Sequence, residues 1–550
     1  MHGMANVFLS HQLDPWTPRT FGQALAEMAA ARPDAPAIVA SGTRLSYREL
    51  FEQARRAAAG LRALGLRRGD HVAVCMENSV EWAALFYGCA LIGAVVVPVN
   101  TRFKDSELRY CLSQSDAKAL VMVDRFLKID FVAMLRAVCP EIDRSLPGAS
   151  LPALRAVLVR GADVPLAAQR FHLLQQPLAP EAAADLDRAA GEVRPGDVAL
   201  IQYTSGTTAD PKGVMLTHDN MLRNAANVAA CMAMGPDDRY FSPRVFYHVA
   251  GTTLSLLASL TAGACLVTLP SFDVDEALRL LSEERCTVIS GNDTIFLMIF
   301  NHPRLDRYKL HLRGGWAAAG IEVMQRARDR LGLRDLVYAY GLSEASPNVI
   351  MSRTDEPVDD RLAGITRPHK GVEVRTVDLE TGKVQPPGMP GEIQVRGWSV
   401  MKGYYNKPEA TAAALADGWL RTGDLGVMDE RGRLRFIGRA KDMLRVGGEN
   451  VAPADVEEVL HAHPKVKQAQ VIGVPDPRLN EVVAAYVVLN EGAQSDPEEL
   501  IAWCKTRCAN FKVPRYLRII DTFEGIGMTG SNKVQKNKLR AQALRDFKLG

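Results

Sequence analysis

The sequence lacks a charge bias. Its 550 residues hold 66 Lys and Arg against 63 Asp and Glu, a formal net charge of +3. Neither nucleic acid nor an anionic membrane surface is indicated as a partner by so even a balance. A cysteine framework is missing as well. The nine cysteines are odd in number and scattered, and the closest pair, Cys504 and Cys508, has no second pair or neighbouring histidines. That excludes a disulfide scaffold and a zinc site, and leaves reduced, mostly buried thiols, as in a cytoplasmic protein. There is no fixed-period repeat and no long low-complexity segment. The start, MHGMANVFLSHQLDPW, has no basic stretch followed by an apolar core, so no signal peptide is expected. The final FKLG is not a peroxisomal address. One long hydrophobic run exists, Trp82–Val99, but Gly88, Gly93 and Pro98 punctuate it. It sits at the short limit for a membrane span. A helix to about Leu91, a turn at Gly93 and a buried strand over Ala94–Val97 fit it better.

What remains is ordinary globular composition, 47% hydrophobic and 23% charged. The length suggests roughly two to four domains. A helix is expected after a turn within Leu45–Leu64, where Leu50, Ala54, Ala57, Ala58 and Leu61 recur at helical spacing. A strand HVAVCM, the segment just described, a helix Asp105–Gln114 and a strand Ala119–Val123 continue the alternation. Such alternation means α/β with mainly parallel sheet. Residues 139–195, rich in Ala, Pro and charge, read as a peripheral excursion. A second alternating block follows Val198. From about Gly371 short strands with Gly/Pro turns (VEVRTVD, GEIQVRG, RLRFIGR) mark a small β-rich subdomain. From about Asp442 a separate pattern begins, with VKQAQVIGV, EVVAAYVVL and a helix at 497–508.

Chemistry concentrates in Tyr203–Val214, YTSGTTADPKGV, directly after the strand-like Val198–Ile201. Small residues let backbone N–H groups approach an anion, hydroxyls add donors and Lys212 adds charge, so the loop should cradle phosphate oxygens. It is not a Walker loop, because Pro211 precedes the lysine and no Ser or Thr follows it.

With this loop, YGLSE at 340–344, GEIQVRGWSVMKGYYNKPEAT at 391–411, GWLRTGDLG at 418–426 and GRAKDMLRVGGENVAPADVEE at 438–458, the chain strongly resembles the adenylate-forming superfamily of acyl-CoA synthetases, peptide-adenylating domains and luciferases. The resemblance implies a fold and two half-reactions. The fold is a large N-terminal AMP-binding domain, 1–440, built of α/β subdomains plus the β-rich one. A small mobile α+β domain, 441–550, follows it. First a carboxylate attacks the α-phosphate of ATP, giving acyl-AMP and diphosphate; then CoA's thiol takes the acyl group. ATP, Mg²⁺ and CoA are the implied cofactor and co-substrates.

Residue roles follow from the same resemblance. Thr204, Ser205, Gly206, Thr207, Thr208 and Lys212 would hold the β- and γ-phosphates. Tyr340 and Gly341 would lie against adenine, and Ser343, where most relatives have Thr, would reach the α-phosphate. Glu344 would hold Mg²⁺, a hard cation suited to carboxylate and phosphate oxygens. Asp424 would bind the ribose hydroxyls, and Arg439 ribose and phosphate. His248, in VFYHVAG, would gate the acyl site or orient the carboxylate. Lys441 would be the hinge, with Gly447 and Gly448 in the loop presented to the thiol. Lys533, in GMTGSNKVQKNKLR, would bridge carboxylate and α-phosphate, where negative charge develops. That last motif lacks the family's Pro, Arg and the Gly before the lysine. Lys536 and Lys538 read as the solvated face of a terminal helix.

TTLSLLASL, GNDTIFLMIF and GGWAAAG supply mostly apolar walls for the acyl group, with Ala317, Ala318, Ala319 and Gly320 leaving space open. The expected acid is therefore hydrophobic: medium- or long-chain fatty, aryl or alicyclic. Asp293 reads as the N-cap of the TIFLMI helix. The competing function is a ligase that loads a carrier protein, or a stand-alone adenylating enzyme. Monomer and homodimer both stay open as assembly states.

Overall fold

The structure, a computed structural model, describes residues 8–204, 211–447, 449–528 and 534–549. The chain divides into two compact units. One comprises Met1–Ser290, Gly341–Val349 and Gly397–Gly418, the other Gly291–Tyr340, Ile350–Arg396 and Trp419–Gly550.

The first unit is built on a sheet whose strands run in the order Lys212–Thr217, Val198–Thr204, Val95–Pro98, His71–Cys75, Ala119–Val123, Ala156–Arg160 and Gln169–Arg170. The pairs among the inner strands are parallel, as βαβ alternation requires. The exception is the hairpin of Val198–Thr204 with Lys212–Thr217, which is antiparallel. The expected helix and strand of the hydrophobic run are Val80–Ile92 and Val95–Pro98. Gly93 closes the helix in the left-handed conformation, φ 68°. That helix is buried along nearly its whole length, which is why it imitates a membrane span. Among the described residues no helix is long and apolar enough to cross a membrane.

One expectation fails here. Residues 139–195 are not merely peripheral, because Ala156–Arg160 is a buried strand paired in parallel with Ala119–Val123. Its AVLV core is a strand signal that the surrounding Pro, Ala and charged residues dilute. A second parallel set, Pro36–Ala40, Cys265–Thr268, Arg239–Phe241 and Val288–Asn292, follows the same α/β logic.

In the second unit, Gly314–Ala318 and Asp335–Gly341 pair in parallel. The β-rich part holds Val372–Val377, Pro390–Gly397, Trp419–Met428 and Leu434–Arg439, the last three antiparallel. The C-terminal sheet carries two cores on its two faces. Along Asn480–Leu489, Val483, Ala485 and Val487 pack with Val456, Leu460, Leu500 and Cys504. Val482, Ala484, Tyr486 and Val488 pack with Leu539 and Ala543 of the terminal helix. Alternate side chains of a strand point to opposite faces. A strand covered on both therefore reads as the unbroken apolar run VVAAYVVL, Val482–Leu489. All nine cysteines are free, and all but half-buried Cys508 are buried.

Candidate active site

The phosphate-loop motif joins the two strands of the antiparallel hairpin, with Thr204 opposite Lys212. A strand–loop–strand setting differs from the strand–loop–helix of a Walker site. Ser205, Gly206, Thr207 and Thr208 lie outside the described residues. The hairpin's base is tied down on both sides. The Tyr110 hydroxyl donates to Pro211 O at 3.0 Å, the Tyr203 hydroxyl to Gln114, and Gln114 Nε2 to Tyr405 O at 2.9 Å.

Lys212 is half-buried, and its ammonium lies 5.0 Å from the centroid of the Tyr404 ring, a cation–π contact. The Tyr404 hydroxyl donates to Glu344 Oε1 at 2.9 Å. Burial, with the Glu344 carboxylate added, pushes that hydroxyl's pKa well up, so it stays a donor at neutral pH. Tyr404 thus joins the phosphate-loop lysine to the acid expected to hold the metal. In the sequence Tyr404 stands inside the motif at 391–411 without an expected role, and two adjacent tyrosines beside a glycine are the signal that marks it. Glu344 and Ser343 lie in a short turn whose approach demands Gly341. A Cβ at Gly341 would come within 1.9 Å of Pro347 O.

His248 caps a helical stretch. Its Nδ1 accepts from Ala250 N at 3.1 Å, which leaves Nε2 to carry the proton of the neutral ring. The following turns, Thr252–Leu257, have π-helical bonding, a geometry that recurs at functional sites.

In the second unit the residues expected to hold the nucleoside converge. The Tyr340 ring stacks on Phe436, centroids 4.9 Å apart at 20°, and its hydroxyl donates to Asp424 Oδ2 at 2.8 Å. Asp424 is 7% exposed and stands directly across the antiparallel ladder from Arg439, whose Nε is 3.6 Å from Asp424 Oδ1. A local irregularity sets Asp424 in place. The ladder with Pro390–Gly397 shifts register between Glu392 and Gln394, Gly423 takes φ 69°, and Thr422 Oγ1 donates to Ile393 O at 2.6 Å. Bulges of this kind re-aim a side chain. Asp424 N donates to the same Thr422 Oγ1 at 3.0 Å, fixing the carboxylate further.

Asp293 does not cap its helix. The cap is Asn292, whose side chain accepts from Ile295 N at 3.1 Å. Asp293 occupies the next position and reaches across to accept from Gly320 N at 2.9 Å. Desolvation raises its pKa, against the pull of that bond and of His461. Along the expected open wall Ala317 is buried, Ala319 is half-buried, and Ala318 and Gly320 are exposed.

Lys441 is exposed in the turn Ala440–Asp442, and Gly447 has φ 60° with its N–H bonded to Leu479 O at 2.8 Å. Gly448 and Lys533 lie outside the described residues. Lys536 does not belong to a solvated face. It is half-buried and pairs with Glu457 Oε1 at 2.7 Å, whereas Lys538 is exposed.

Comparison with known proteins identifies the family. The family of AMP-binding enzymes matches residues 25–405, and its C-terminal domain matches 455–533. The chain belongs to the adenylate-forming acyl-CoA synthetases. It is 39% identical over 543 residues to the acyl-CoA synthetase homologue YngI of Bacillus subtilis (strain 168), covering 96% of this chain and 98% of that protein. It is 34% identical to the mitochondrial medium-chain acyl-CoA ligase ACSF2 of Rattus norvegicus, covering 96% and 88%. Among solved structures, ATP-bound MatB from Rhodopseudomonas palustris is similar at 30% identity and a TM-score of 0.77, covering 98% and 99%. The synthetase is therefore an AMP-forming carboxylate–CoA ligase, and ATP, CoA and a carboxylic acid fit it as substrates.

Proposed function

We propose that this synthetase activates a hydrophobic carboxylic acid, of medium chain length or carrying a ring, through an acyl-adenylate. The observation that carries the acid class is the apolar helix Asp293–Phe300, with Ile295, Phe296, Leu297, Ile299 and Phe300 buried. The helical stretch Val249–Ala262 supports it, since it is buried at almost every position. ACSF2 is named for medium-chain acids.

In this reading the Thr204–Lys212 hairpin holds phosphate oxygens, and Asp424 takes the ribose hydroxyls beside Arg439. Tyr340 presents its ring to the base while its hydroxyl fixes Asp424. The developing charge is met by preorganised groups rather than by reorganising water. Glu344 fits a magnesium ion. Its carboxylate is oriented by Tyr404 through Oε1, and one carboxylate plus substrate phosphates is the ion's usual holding in phosphate sites. That ion would neutralise phosphate charge. His248 orients the carboxylate, and Lys533 reaches it during adenylation. The segment from Lys441 then pivots and brings the loop at Gly447 and Gly448 to the thiol. The free, buried thiols suit a reducing compartment such as the cytoplasm.

The test is AMP release with ATP, Mg²⁺ and a panel of short, medium, long-chain, aryl and alicyclic acids, with and without CoA. Medium-chain or ring-bearing acids should give the highest kcat/KM, and CoA should accelerate turnover. AMP release indifferent to CoA but responsive to a carrier protein would overturn this reading.

A further inference from the structure

The segment that carries His248 is held by two buried carboxamides, one following a strand and one within another. Asn78, 2% exposed, follows the strand His71–Cys75. It donates from Nδ2 to Arg244 O at 2.8 Å and accepts from Phe246 N at 2.7 Å. Gln202, 4% exposed, lies within Val198–Thr204, two residues before the phosphate loop's first described hydroxyl. Its Nε2 donates to Tyr247 O at 3.1 Å and to Tyr203 O at 3.2 Å.

Two carbonyl acceptors need a donor, and that fixes which end of the amide faces them. Gln202 and Thr204 are alternate residues of one strand and so share a face. Gly251 permits the turn to stay tight, since a Cβ there would come within 2.1 Å of Val245 O. Asn78 therefore fixes the start of the segment, and Gln202 fixes its end, at the peptide next to His248.

We infer that Gln202 is a positioning residue that sets His248 relative to the strand Val198–Thr204. The bond it makes is to the peptide immediately before His248, and its own strand leads into the loop. Any shift of that strand would reach the His248 peptide through one hydrogen-bonded amide. The inference rests on the proposed role of His248 in orienting the carboxylate.

The experiment is ATP–diphosphate exchange with octanoate on wild type, Gln202→Met, His248→Ala and the double variant, with melting temperatures alongside. Gln202→Met keeps the volume and removes the donor. Its kcat should fall about tenfold, the scale of one buried hydrogen bond with the misplacement it allows, while the KM for ATP changes little. On a His248→Ala background the same substitution should cost less than about twofold, because residues acting through each other are non-additive. A second variant, Gln202→Glu, guards against misfolding. Ionised, it cannot donate; protonated, it can. Its kcat relative to wild type should therefore rise as pH falls from about 8 to about 6, the range reached by a buried carboxyl. Unchanged kcat in Gln202→Met, a fully additive double variant, or a pH-independent ratio for Gln202→Glu would each overturn the inference while leaving the acid-activation reading intact. A wild type that exchanges with no acid would overturn both.

Discussion

At the scale of single residues, the link from Lys212 through Tyr404 to Glu344 is the least expected feature. One aromatic ring offers its face to a cation and its hydroxyl to an anion. Tyr404→Phe keeps the ring and removes only the donor. Hydrogen bonds to charged groups contribute about 1.5–3 kcal/mol, so the Mg²⁺ dependence of adenylation should weaken by about ten- to a hundredfold. A titration of Mg²⁺ against initial rate reads this directly, and an unaltered curve would show that other contacts orient Glu344. Tyr404 stood in plain sight in the sequence. Its hydroxyl's partner is 60 positions away, and no spacing rule connects such a pair. Asp424 and Arg439 were legible as motif residues, but their juxtaposition depends on ladder register, which a local bulge sets.

At the scale of elements, strongly periodic segments were readable and interrupted ones were not. Asp105–Gln114 and Ala119–Val123 are where the pattern puts them. Trp419–Met428, a long strand of the β-rich part, did not read as a strand because Thr422, Gly423 and Asp424 look like a turn. They are strand residues at a local bulge, where Gly423 takes φ 69°, and the strand runs on past them. The start of Asp293–Phe300 shows another limit. Asn and Asp stand side by side, both are good caps, and local sequence cannot choose between them. The structure assigns the cap to Asn292 and sends Asp293 to Gly320.

This assignment has a pH signature. Desolvation raises the pKa of Asp293, and also those of Glu322 and Glu458. Around Asp293 the opposing influences are His461, which lowers its pKa, and Glu457, which raises it. Glu457 is itself paired with Lys536. A carboxyl whose folded pKa lies above its unfolded value favours folding below the unfolded value. That contribution is lost as pH rises through the folded pKa. Asp293→Asn keeps an acceptor for Gly320 and carries no charge. Its melting temperature should exceed wild type by about one to two degrees at neutral pH. The gap should close in acid, where the wild-type carboxyl is neutral too. A variant less stable than wild type at every pH would mean that the ionised form is what holds Gly320.

At the scale of the whole molecule, the motifs announced the chemistry and the family, and the comparisons agree. The order of the half-reactions should be separable by mutation. Lys533→Ala should reduce acyl-AMP formation by about a hundredfold or more, the usual cost of losing one preorganised contact to developing charge. It should still convert supplied acyl-AMP and CoA to thioester. Gly448→Leu should do the reverse, since a bulky side chain obstructs only the thiol's approach. Assaying both half-reactions on both variants checks the pair. If each variant loses both activities together, the proposed pivot at Lys441 is wrong.

Lys402–Tyr405 also lies along the outer side of the strand Lys212–Thr217. Lys402 N donates to Met215 O at 3.0 Å, Met215 N to Gly403 O at 3.0 Å and Tyr405 N to Gly213 O at 2.8 Å. The strand is the last of its sheet. An uncovered ladder in that place invites pairing with another chain. The covering ribbon is encoded far downstream of the strand it protects. During translation, the hairpin of Val198–Thr204 with Lys212–Thr217 should therefore be open to mispairing until that ribbon has left the ribosome. The demand on chaperones should be greatest in that interval.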